Sequence, residues 1–166
     1  MYVDPRGPRF GAAVTTAVLA TVLVTGNGWL LAAQAVVFGI GAFAGLRYAP
    51  YGRVFRRFVQ PRLAPPREFE AEAPPRFAQG VGFAFALVGT VGYLIGMTAL
   101  GVVATAFALG AAFLNAAFDF CLGCEVHLRL VRVLGRPVVR YVPESDVPTS
   151  QTLCADAAQA KEKAYA

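Results

Sequence analysis

Charged residues leave long gaps in this chain, and the gaps organise it. Positions 10–25 (FGAAVTTAVLATVLVT) carry no charge. Gly26-Asn27-Gly28 follows and predicts a tight turn. Positions 29–46 are again charge-free, and Trp29 stands where an interfacial aromatic anchor would sit. Positions 77–118 form a third uncharged run. One bilayer crossing takes about 20 apolar residues, so this run predicts two crossings with a turn near Gly96 to Gly101. The pattern predicts four spans, approximately 10–25, 29–46, 77–96 and 98–120. That is an all-α integral membrane four-helix bundle of two helical hairpins, with short amphipathic interfacial helices. A secretory signal peptide is the rival reading of the first run. Against it, the second run begins almost at once, and Thr-Gly-Asn-Gly reads as a turn rather than a cleavage site.

The polar stretches have their own pattern. Positions 47–76 hold seven arginines, several prolines and the acidic cluster Glu68, Glu70 and Glu72. Pro65-Pro66 and Pro74-Pro75 predict helix breaks. Within the stretch, positions 51–59 (YGRVFRRFV) place Val54, Phe55, Phe58 and Val59 at helical spacing between arginines. This predicts a short helix on a membrane surface, with a plain basic loop as the alternative. Positions 123–131 (GCEVHLRLV) echo that stretch, as two parallel repeats about an axis normal to the membrane would, or as arginine flanks do by chance. Beyond Pro137 periodicity is lost, and 137–166 reads as a flexible cytoplasmic tail. Dense glycines, with Gly92 and Gly96 as a GxxxG step and Gly39, Gly41 and Gly45 in a looser form, predict close helix packing. No strand-to-glycine-loop pattern with a following lysine marks a nucleotide site.

Composition agrees with the gaps. The chain is 57% hydrophobic and 15% charged, with mean hydropathy +0.54, whereas a soluble domain carries about 25% charged residues. Net charge is +5, and its placement carries the information. Two arginines precede the first span, seven separate the second and third, and four follow the fourth. By the positive-inside rule both termini and the middle loop are cytoplasmic, in an inner membrane. Basic residues flanking spans are topology signals, so no nucleic-acid partner is expected; the bilayer is.

The candidate chemistry lies at positions 115–127, NAAFDFCLGCEVH. Cys121 and Cys124 can close a small disulfide ring or pass a disulfide or persulfide through a mixed intermediate. If Gly123 breaks the fourth span and a new helix begins, both thiols sit near its positive end, which lowers thiol pKa. Arg129, Arg132 and His127 add positive potential, while Asp119 and Glu125 oppose it or accept the thiol protons. If the helix continues instead, Asn115 and Asp119 share a face. The same cysteines with His127 are the alternative as metal ligands, and a purely structural role is a third reading. Cys154 lies in the tail as an incidental thiol. No haem, nucleotide or other cofactor motif stands out.

VDPRGPRFGA, RYAPYGRVFRRFVQPRL, PPRFAQGVG and AAFLNAAFDFCLGCEV together resemble a family of small bacterial integral membrane proteins catalogued as a domain of unknown function. The resemblance covers roughly positions 3–134. It implies a four-span protein ending in a C-x-G-C motif, here Cys121 and Cys124. Such proteins are often encoded near thioredoxin-like or rhodanese-type sulfurtransferase proteins, which points to thiol or sulfur chemistry. The expectation is a membrane-anchored thiol centre with such a cytoplasmic partner, in a chain able to form a homo-oligomer. A membrane scaffold, a small transporter subunit and a quinone-linked oxidoreductase are the alternatives.

Overall fold

The computed structural model describes residues 2–64, 68–135 and 141–143. Of the expected tail, residues 137–140 and 144–166, with Cys154, lie outside the described residues. Helix α1 (Arg6–Thr25) ends at Gly26, whose φ of 63° is the left-handed conformation glycine adopts without strain. Asn27 then caps α2 (Gly28–Gly39), its side chain accepting from the N–H groups of Trp29 and Leu30. A π-helical turn, Ile40–Ala44, continues α2 to 17 residues in all. The basic stretch holds α3 (Pro50–Val54), which runs on as π turns to Val59 and a 3-10 turn to Arg62. The two other long helices are α4 (Ala73–Leu94) and α5 (Thr98–Phe118), and α6 (Leu122–Val133) is short.

Three helices, α1, α4 and α5, are long and apolar enough to cross a bilayer. At most 22% of the residues in their apolar windows are buried, so most of each apolar surface faces outward. A mainly helical chain that exposes Trp29, Phe107 and Phe118 in this way suits lipid rather than water. Inside, Leu19 and Val22 of α1 meet Leu31 and Phe38 of α2, Ala86 of α4 and Ala108 of α5. The first apolar run therefore supplies part of the core. Helix α4 is central, packing against α2, α5 and α6, while α1 lies along α5.

Several polar side chains of the long helices are matched locally, although the buried Tyr93 hydroxyl has no hydrogen-bond partner among the described residues. Thr16, Thr21, Thr90 and Thr105 donate to the carbonyl four residues back. Gln34, 2% exposed, donates to Thr15 Oγ1 and accepts from the Tyr51 hydroxyl at 2.7 Å, tying α1, α2 and α3 together.

Several expectations change. Pro74 and Pro75 open α4 rather than break a helix, because the first turn has no intrahelical donor to lose. A small antiparallel sheet, absent from the all-α expectation, joins β1 (Tyr2–Val3), β2 (Glu68–Ala71) and β3 (Tyr141–Pro143) in that order. Thus Glu68 and Glu70 of the acidic cluster lie in a strand while Glu72 stands at the N-cap of α4, and the stretch read as tail contributes another strand. Of the GxxxG pair, Gly92 does meet the Gly101 backbone, but Gly96 has φ 82° in the α4–α5 turn and meets nothing.

The order strand, long helix, helix, short amphipathic helix occurs twice: β1–α1–α2–α3 and β2–α4–α5–α6. Pro8-Arg9-Phe10 recurs as Pro75-Arg76-Phe77, and Val3 pairs with Glu70 at the same sequence separation.

Candidate functional site

The site forms where α5 ends. Asp119 sits at φ 57°, ψ 24°, a left-handed position that aspartate tolerates better than most residues, and its N–H reaches Leu114 O. The helix does not continue, so the shared face expected for Asn115 and Asp119 is not formed. Asp119 is exposed at the turn. Two residues later Cys121 turns extended and becomes the N-cap of α6. Its Sγ accepts the Cys124 N–H at 3.4 Å, the place a serine or aspartate oxygen takes in ordinary helices. Glu125 N–H bonds to Cys121 O, and Glu125 itself lies in the first turn. A new helix thus begins at the cysteine pair, with Cys121 its cap.

The two thiols differ in access. Cys121 is half-buried, whereas Cys124 is 1% exposed and faces the protein. What holds α6 in place is Gly123, which lies directly on α4. A Cβ there would sit 2.6 Å from Ala78 Cβ and 2.7 Å from Ala78 Cα. Beside this contact opens an apolar cleft of about 250 Å³ between α4, α5 and α6, lined by Cys121, Pro75, Gln79, Asn115, Phe85 and Phe107.

His127 packs against Phe77 with the rings tilted and their centroids 5.2 Å apart. Among the described residues no three His, Cys, Asp or Glu side chains gather as a metal site requires. The alternative ligand set Cys121, Cys124 and His127 is therefore not brought together.

Arginine has a second role that composition did not reveal. Arg76 Nε and Nη2 donate to Ala42 O, and Nη2 also to Phe43 O, satisfying carbonyls at the π-helical end of α2. Arg9 Nε does the same for Ala116 O near the end of α5. Buried Glu72 accepts the Leu46 N–H at 3.0 Å, joining the end of α2 to the start of α4. These bonds gather the starts of α1 and α4 and the ends of α2 and α5 at one end of the molecule, beside the cysteines. Each arginine follows a proline in a helix's first turn, Pro8 in α1 and Pro75 in α4, but nothing in the sequence names the carbonyls they reach.

No curated protein and no solved structure matches the chain. The family model described as "Domain of unknown function (DUF4395)" matches residues 3–132, and the chain belongs to that family.

Proposed function

We propose that the chain is a four-span protein of a bacterial cytoplasmic membrane that carries a thiol centre at its arginine-rich end. In this reading Gly28–Ala44 is the fourth crossing, short but within the range that spans a bilayer. Both termini and the middle loop are cytoplasmic by the arginine distribution. The observation that carries the chemistry is Cys121 Sγ at the α6 N-terminus, receiving the Cys124 N–H. Backbone donors at a helix N-terminus favour thiolate over thiol, and the thiolate is the nucleophile. Cys121, the more accessible sulfur, attacks a partner's disulfide, whose second sulfur leaves as thiolate and takes a proton. Cys124 then loses its proton and attacks the Cys121 sulfur, releasing the partner's other thiol. The partner gains two electrons and this pair becomes a disulfide. With a persulfide donor, Cys121 instead takes the sulfane sulfur as the donor thiol leaves. A soluble thioredoxin-like or rhodanese-type protein is the fitting partner, and Glu125 and Asp119 are the nearby proton acceptors.

The test is trapping. A Cys124→Ser variant lacking Cys154 should accumulate a reducible mixed disulfide through Cys121, and a Cys121→Ser variant should not. If neither traps a partner, and the double variant retains full function under oxidant or sulfur stress, the thiol reading fails. A scaffold reading draws on the exposed Arg53, Arg57, Arg129 and Arg132. It expects removal of the basic stretch to do more harm than loss of both thiols.

A further inference from the structure

Each half of the chain has a cavity where its first long helix meets its short amphipathic helix, and the two places correspond. Ala49 caps α3 where Cys121 caps α6. Phe10 packs tilted against Phe55 at 5.7 Å and 41°, as Phe77 does against His127 at 5.2 Å and 42°. Gly11 faces Tyr51 in the first half, whereas Ala78 faces Gly123 in the second, so the small residue has changed sides of the same contact. In the second half this junction is the cysteine cleft. In the first half no sulfur stands there, and Ala49 and Gly52 line a cavity of about 320 Å³ instead. That volume is at the lower end of the range of about 300–1,000 Å³ typical of ligand sites.

The lining has two characters. Val3, Val37, Leu46 and Phe55 make an apolar floor, and Arg47 and Arg56 stand on the rim. Arg47 donates to the Tyr48 hydroxyl and lies over its ring at 4.4 Å, and Arg56 donates to Arg47 O. Neither guanidinium meets a carboxylate among the described residues, and each has five N–H donors. Asp4, also in the lining, is taken by Arg6 at 3.0 Å.

We propose that this cavity binds an anionic phospholipid, with an acyl chain on the apolar floor and the phosphate on Arg47 and Arg56. A free anion would gain nothing from the floor, and an uncharged lipid nothing from the rim. The site is independent of the thiol chemistry and would stand without it.

The experiment uses the full chain in neutral detergent. Dioleoyl phosphatidylglycerol, dioleoyl phosphatidylcholine and inorganic phosphate are titrated, with bound lipid counted by native mass spectrometry and stability followed by thermal unfolding. Phosphatidylglycerol should bind and raise Tm more than phosphatidylcholine, and inorganic phosphate should do neither. Arg47→Gln with Arg56→Gln should weaken phosphatidylglycerol about thirtyfold, the usual contribution of two juxtamembrane arginines. Val37→Phe, which fills the floor and keeps both arginines, should also weaken it. The lipid-free Tm of the arginine variant controls for folding. Undiminished phosphatidylglycerol binding in the arginine variant, equal binding of the two lipids, or a phosphate effect as large as the lipid's would each overturn the proposal.

Discussion

Gly123→Ala is the most direct probe of how the fold holds the thiols. The added carbon would lie 2.6 Å from Ala78 Cβ and 2.7 Å from Ala78 Cα, against about 3.5–4.0 Å for carbons in contact. Relief requires α6 to move off α4 by about 1 Å, because one of the two obstacles is backbone. Overpacking of this kind costs about 1–3 kcal/mol. The gain from replacing glycine with alanine reaches about 1 kcal/mol only in a helix interior, and Gly123 is the second residue of α6, so most of the cost remains and a net loss of about 1–2 kcal/mol is expected. For a chain of this size that is a Tm fall of roughly 2–8 °C. Gly110→Ala is the control: it is in the interior of α5 with nothing within 4 Å of the added carbon. There the same substitution should stabilise by about 0.5–1 kcal/mol. Adding Ala78→Gly to Gly123→Ala removes the 2.6 Å contact and leaves the 2.7 Å one, so it should restore only part of the stability. Thermal unfolding in detergent, with the rate of Cys121 alkylation measured alongside, reads all three. A Gly123→Ala protein as stable as wild type, with unchanged thiol reactivity, would refute the packing argument.

Other outcomes follow from the same contacts. Cys121→Ser should keep the helix cap and the fold while abolishing exchange, whereas Cys121→Ala should also cost about 1 kcal/mol in unfolding experiments. Asp119→Asn should preserve the left-handed turn, and Asp119→Val should destabilise by about 1–2 kcal/mol; an exchange defect already present in the asparagine variant, whose turn is intact, would mark a proton-transfer role. Glu72→Gln can still accept the Leu46 N–H, so it should be mild beside Glu72→Ala, which orphans a buried donor at about 1–3 kcal/mol. Burial raises the Tyr51 pKa above 10.0, so the folded state binds this proton more tightly than the unfolded chain. Its contribution is complete below pH 10 and lost as pH rises through the folded value, and Tyr51→Phe should remove that alkaline component from a stability-against-pH curve.

The long helices were legible because apolar length is a local property. Gly26-Asn27-Gly28 announced its turn for the same reason, whereas a new helix near Gly123 was one of two readings the sequence left open. The sheet was not legible: its three short strands come from positions 2–3, 68–71 and 141–143, and no local pattern says that they meet. Pro74-Pro75 misled because proline is a breaker in a helix interior and a starter in the first turn, and only the boundary decides which applies. Arg9 and Arg76 were readable as topology signals, but their capping of Ala116 and Ala42 needed the helix ends to be side by side. The cysteine pair was legible as a candidate site. Its unequal exposure, and the cleft beside it, arise from packing against α4 and α5 that one segment cannot encode.

The most direct test of the central claim is sided thiol labelling. A membrane-impermeant maleimide is applied to intact cells and to inverted vesicles, with and without reductant, in a chain lacking Cys154. The account predicts labelling of Cys121 only in inverted vesicles, increased by reductant and much slower at Cys124. Labelling from the outside of intact cells would contradict the topology, and a Cys121 no more reactive than Cys124 would contradict the thiol centre.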